Sequence, residues 1–124
     1  MAEAIARYDA ADVIDSSSSG LSPLGFIPDL TKRTLAINGY SADGLNSDKT
    51  TKEACDGVDI IINMTGKPWD ETFSNHEKVE DWIVQDPYKM DPETYQRVFE
   101  GVQRRIGQLA KGLRNKRENR GTGK

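Results

Sequence analysis

Apolar positions fall into separated groups along the chain, and the period within each group predicts an element. The opening MAEAIARYDA reads as a helix over 1–10: Ala2, Ala4, Ile5, Ala6 and Arg7 are good helix formers, and Glu3 and Arg7 stand four apart. No Ser, Thr, Asp or Asn precedes it to cap it. DVIDSS (12–17) reads as a short strand in which Val13 and Ile14 run into the loop SSSSG. Pro28 suits the first turn of a helix that continues through DLTKRTLAIN and stops at Gly39. SADGLNSDKTT is a polar connection, and TKEACDG a short helix. VDIIINM (58–64) is apolar almost without a break, which predicts a strand buried on both faces of a parallel sheet. The stretch TGKPWDETFSNHEKVE is irregular or partly helical, and DWIVQ (81–85) is a further strand ended by Asp86-Pro87. Asp91 is a candidate N-cap with Pro92 in the first helical position. Tyr95, Val98, Phe99, Val102, Ile106, Leu109 and Leu113 then form one apolar stripe at helical spacing, read as core. Beyond Leu113 the chain turns basic, with Arg114, Lys116, Arg117, Arg120 and Lys124 against Glu118. The expectation is a single domain over 1–113 and a flexible basic tail over 114–124. Strands alternating with helices predict an α/β fold, a parallel sheet flanked by helices.

Composition narrows the function classes. Of the 124 residues 35% are hydrophobic and 30% charged, polar for a globular domain, yet the ordered apolar groups predict folding rather than disorder. A formal net charge of -3 gives no reason to expect nucleic acid as a partner. The single cysteine, Cys55, rules out an internal disulfide or a cysteine-based metal cluster and suits a reducing cytosol. No apolar run reaches membrane-spanning length and the start is not a signal peptide, so the expected place is the cytoplasm. His76 is the only histidine and has no ligand-spaced partner, so neither a metal nor another cofactor is expected.

Ligands of parallel sheets bind beyond the carboxyl ends of the strands. Three segments leave the expected strands there: Ser16-Ser17-Ser18-Ser19-Gly20, Thr65-Gly66-Lys67 and Asp86-Pro87-Tyr88. Together they offer hydroxyls, backbone N–H groups, a cation, a carboxylate and an aromatic ring. Such a rim forms one side of an anion site with a general acid, but it lacks a nucleophile. Taken singly, the same pieces are ordinary loop content, a surface charge and a turn. Cys55, just before the apolar strand, reads as a small packed side chain rather than a reactive thiolate.

The order of these segments resembles the low-molecular-weight protein tyrosine phosphatase family, which includes related arsenate reductases. MAEAIARY resembles that family's first helix, VIDSSSSGL its second strand and small-residue loop, and IPDLTKRTLAINGY its proline-started second helix. CDGVDIIINMT resembles the third strand, WIVQDPY the fourth strand with its Asp-Pro, and the terminal amphipathic helix completes the match. The resemblance implies a three-layer fold and hydrolysis of a phosphotyrosine-containing protein or small aryl phosphate through a cysteinyl-phosphate. It implies Asp86 as general acid and Tyr88 as an aromatic wall, while the rim at the strand ends offers Ser17 and Ser18 on the substrate side. In the family MAEA follows a central strand and a Cys-x5-Arg-Ser loop that supplies the thiolate and a phosphate-gripping arginine. Residues 1–124 contain no such loop, so the chain is expected to be truncated at its N-terminus and inactive as written. The alternatives are an arsenate reductase of the same fold, or a non-catalytic remnant that binds an anion or a partner. Departures from the pattern are Leu45 where a histidine is common, Lys89-Met90 where a glycine is common, and no cysteine in INMTGK, which weakens the arsenate-reductase alternative. Without the central strand, VIDSS and VDIIINM are expected to carry unpaired edges, giving poor stability or self-association.

Overall fold

The computed structural model describes residues 1–20, 25–45, 47–73, 76–85 and 88–122, without the side chains of His76 and 119–122. The first helix, α1, spans Ala2–Asp9 and turns Ala4, Ile5 and Ala6 inward, while Glu3 and Arg7 pair one turn apart. Pro28 stands just outside α2 (Asp29–Ile37) as its N-cap residue, with extended ψ, rather than inside the first turn. At the other end Gly39 takes a left-handed φ of 86°. That conformation lets the Gly39 N–H reach the Ala36 carbonyl (3.1 Å) and the Tyr40 N–H reach the Leu35 carbonyl (2.8 Å). This is a Schellman stop, which a side chain with a Cβ disfavours. The short helix α3 (Lys52–Asp56) starts on Thr51, whose hydroxyl accepts the Ala54 N–H.

Among the described residues two three-residue strands follow, β1 (Ile61–Asn63) and β2 (Val79–Asp81), with a 3-10 turn at His76–Lys78 leading into β2. They run parallel in the register Ile61 with Val79, Ile62 with Glu80 and Asn63 with Asp81. The last helix, α4, spans Pro92–Thr122 and begins on Asp91, whose Oδ1 accepts the Thr94 N–H at 2.7 Å.

The α/β class with a small parallel sheet and flanking helices is as expected, but three strand assignments change. Residues 12–17 form no strand: the Val13 and Ile14 N–H groups both turn back to the Ala10 carbonyl, at 3.0 and 2.8 Å. Only Gly20, at the end of the serine run, makes an isolated parallel bridge, to Lys49. The 58–64 strand shrinks to three residues and is not buried on both faces, for Ile61 and Ile62 are half-buried and Ile60 is 41% exposed. The 81–85 strand lies earlier, at 79–81. Its ladder ends where the Trp82 N–H meets the Asn63 carbonyl at 2.9 Å. Beyond Asn63 the partner chain turns away through Gly66, at φ 75°, and Ile83 is left 91% exposed.

The core therefore lies among helices. Ile5, Leu35, Phe99, Val102, Ile106 and Trp82 form its buried centre, with α1 and α2 packed on α4. Tyr40 bridges outward, edge-on to Phe99 at 5.5 Å and to Tyr8 at 5.8 Å. Asn38 and Gln96 exchange amide hydrogen bonds at 2.8 and 3.1 Å, tying the end of α2 to α4. The basic residues after Leu113 continue α4. Arg114 there grips the Asp12 carboxylate through Nε (2.9 Å) and Nη2 (2.8 Å) and also reaches the Asp9 carbonyl.

Candidate functional site

The serine loop is fastened to the first turn of α1. Ser16 Oγ donates to the Glu3 carbonyl at 3.2 Å, and Ser18 Oγ donates to Glu3 Oε1 at 2.6 Å. The other Glu3 oxygen pairs with Arg7, whose Nη1 donates to the Asp43 carbonyl at 3.2 Å. Glu3 thus joins the serine loop to α1 through one carboxylate, whose side chain is only 9% exposed, and its partner Arg7 carries the link on to the 43–44 turn. Ser18 uses its hydroxyl hydrogen on Glu3, whereas Ser17 is exposed to solvent. Ser19 and Thr50 hydroxyls meet at 2.9 Å, beside the bridge from Gly20 to Lys49.

The second rim segment is organised by Asn63. This side chain is buried, and its amide ties the turn at 64–67 to Asp81 at the end of β2. Thr65 and Lys67 are exposed on that turn. Of the third segment, Asp86 and Pro87 lie outside the described residues. Tyr88 is half-buried, and the Lys89 ammonium stands 5.6 Å from the centre of its ring. Lys89 has a left-handed φ of 66°, a conformation natural to glycine. The structure thus brings Ser16 and Ser18 onto α1, and Thr65 and Lys67 onto Asn63 at the end of β1, which in turn reaches Asp81 of β2.

Cys55 is buried in α3, and burial pushes its thiol up from the ordinary value, against the opposing pull of Lys78. It is a packed side chain and not an activated thiolate. The nearby Lys78 ammonium donates to the carbonyls of Cys55 (2.6 Å) and Val58 (3.0 Å), placing a cation at the end of α3, where the helix dipole favours one. Among the described residues no group of three or more His, Cys, Asp or Glu side chains is arranged to hold a metal ion. No described helix is long and apolar enough to cross a membrane.

Two residues escaped the sequence reading. Glu3 appeared only as a helix partner of Arg7, although a serine run 13–16 residues on offers it hydroxyl donors. Asn63 was counted inside an apolar strand, although an amide between Ile62 and Met64 is itself a signal that partners must be waiting.

Residues 1–119 match the family described as low molecular weight phosphotyrosine protein phosphatase. No curated protein sequence matches the chain. Solved structures agree in fold. An arsenate reductase in the reduced state has a TM-score of 0.75 at 24% identity, over 90% of this chain and 86% of that one. The tyrosine phosphatase amsI of Erwinia amylovora has a TM-score of 0.77 at 19% identity, over 90% and 82%. The tyrosine phosphatase Wzb of Escherichia coli K30, in complex with sulphate, has a TM-score of 0.76 at 18% identity, over 90% and 87%.

Proposed function

Given that the chain belongs to the low molecular weight phosphotyrosine protein phosphatase family, we propose that the intact protein hydrolyses phosphotyrosine or a related aryl phosphate through a cysteinyl-phosphate. The observation that carries this reading is the family match over residues 1–119. In this reading the nucleophile belongs to a Cys-x5-Arg-Ser loop, a pattern that residues 1–124 do not contain. Cys55 does not supply one, because Ile61 stands where the arginine would be. In the proposed reaction the thiolate attacks phosphorus and the P–O bond to the aryl group breaks. Asp86 gives its proton to the departing oxygen. Water then attacks the phosphorus, the Asp86 carboxylate takes its proton, and the P–S bond breaks to release phosphate and thiolate. Tyr88 is the proposed wall for the aryl ring, and the exposed Ser17 and its neighbour Ser18 line the anion side. The lone cysteine supports a reducing cytoplasmic setting.

A chromogenic aryl phosphate tests the reading with two proteins: residues 1–124, and a form extended upstream in its natural reading frame. The 124-residue chain should show no turnover. The extended form should turn over and lose about 10²–10⁴-fold with Asp86→Asn. Turnover by residues 1–124 that disappears with Cys55→Ser would overturn the proposal. Arsenate reduction is the second reading, favoured by the arsenate reductase among the structural neighbours. With one cysteine in residues 1–124, it would draw its reducing thiols from elsewhere. Arsenate-dependent oxidation of added thiol by the extended form, without aryl phosphate turnover, would establish it instead.

A further inference from the structure

Asn63 is 5% exposed at the carboxyl end of β1, and its side chain makes every hydrogen bond an amide can make. Nδ2 donates to the Lys67 carbonyl at 2.9 Å and to Asp81 Oδ1 at 2.8 Å. Oδ1 accepts the Thr65 N–H at 3.1 Å and the Thr65 hydroxyl at 2.7 Å. The Thr65 oxygen in turn accepts the Lys67 N–H at 3.1 Å, and the Asn63 carbonyl receives the Trp82 N–H at 2.9 Å. One planar amide therefore fixes both ends of the exposed turn and the last residue of β2. A leucine would fill the same buried place without polar demands. A fully satisfied buried amide instead selects one arrangement of its partners, since any shift leaves a donor or acceptor unpaired in a low dielectric.

We propose that Asn63 is a positioning residue: it locks the Thr65-Gly66-Lys67 turn to the exit of β2, so that the hydroxyl and cation on the turn keep a fixed place beside the strand leading towards Tyr88. The functional half of this rests on the phosphatase reading above. The geometric half does not.

Amide hydrogen exchange on the 124-residue chain, followed by NMR, tests the lock directly. Asn63→Leu should raise the exchange rates of the Thr65, Lys67 and Trp82 amides about tenfold or more, while the Phe99 and Val102 amides in α4 change less than about twofold. Asp81→Ala, at an exposed residue, cuts only the tie to β2 and should raise Trp82 exchange while leaving Thr65 and Lys67 unchanged; it carries the test if Asn63→Leu does not fold, and unmoved Trp82 exchange in it then overturns the proposal. For Asn63→Leu, a uniform rise at all five amides, or no rise at the three, overturns the proposal. In the upstream-extended protein, Asn63→Leu should lower kcat/KM for an aryl phosphate about tenfold and leave the acid–base limbs of the pH profile in place, whereas Asp86→Asn should remove one limb. Absence of aryl phosphate turnover by the extended protein overturns the phosphatase reading alone, and a profile unmoved by Asp86→Asn removes Asp86 from the acid role. Unaltered exchange overturns the positioning role alone.

Discussion

Replacing Phe99 by alanine tests where the stability of this protein resides. Phe99 is 1% exposed, lies at the centre of the α1–α2–α4 junction and holds the Tyr40 ring edge-on at 5.5 Å. Truncating a fully buried phenylalanine costs about 3–5 kcal/mol, which includes the cavity it leaves. A small domain has only about 5–15 kcal/mol of stability. The loss should therefore appear as a fall in Tm of roughly 10–20 °C. Ile62, at the middle of β1, is only half-buried in a two-stranded sheet, so Ile62→Ala should cost about 1–2 kcal/mol. Ile83, at 91% exposure, should tolerate Ile83→Ala within about 0.5 kcal/mol. Urea unfolding followed by the fluorescence of Trp69 and Trp82 measures all three, with m-values checked for two-state behaviour. If Ile62→Ala matches or exceeds Phe99→Ala, the core is not built on the helices and the reasoning fails.

Acid should loosen the Arg114 clamp. The guanidinium hydrogen bonds hold Asp12 down to about 2, from an ordinary 3.8, so its contribution is complete above pH 4 and is lost as pH falls towards 2. Asp12→Asn should remove that part of the acid dependence of Tm, and an unchanged acid limb would show the clamp to be inert. In the upstream-extended protein, Asp86→Asn should lower kcat most for aryl phosphates with poor leaving groups, because those need protonation most; equal losses across a leaving-group series would remove Asp86 from the role. Exposed Ile60 and Ile83 flank a sheet of two short strands, so the 124-residue chain should associate with rising concentration on size exclusion, and Ile60→Lys with Ile83→Lys should reverse this. A concentration-independent monomer would contradict it.

The helices were legible because their signals are local. Asp91 caps α4 from three residues before Thr94, Gly39 closes α2 within two residues of its end, and the stripe from Tyr95 to Ile106 needs only the helical period. A helix satisfies its backbone within its own sequence, whereas a strand needs a partner that its sequence does not name. Val13 and Ile14 have strand-forming side chains, but the nearest acceptor for their N–H groups is the Ala10 carbonyl at the end of α1. Ile83 has the same propensity and stays in solvent, since the chain beside it has already turned at Gly66. Propensity described the residues correctly in both places, and pairing decided the outcome.

The same distinction separates the candidate residues legible in the sequence from those that are not. Ser17, Ser18 and Lys67 stand out by composition on loops that follow apolar runs, so the sequence offers them as candidates without knowledge of their contacts. Glu3 and Asn63 act through contacts to distant residues: Ser18 is 15 positions from Glu3, and Asp81 is 18 from Asn63. Each also has a sufficient local explanation, an ion pair with Arg7 for Glu3 and a place in an apolar strand for Asn63, which concealed the second role. Their burial makes that second role necessary. A carboxylate that is nine-tenths covered, or an amide 5% exposed, cannot rest on a single partner without a large desolvation penalty. The serine hydroxyls on Glu3, and the Thr65, Lys67 and Asp81 groups on Asn63, are the partners that burial demands. Both rim loops are thus ordered by one buried polar group each, at the two places where the helices alone cannot hold them.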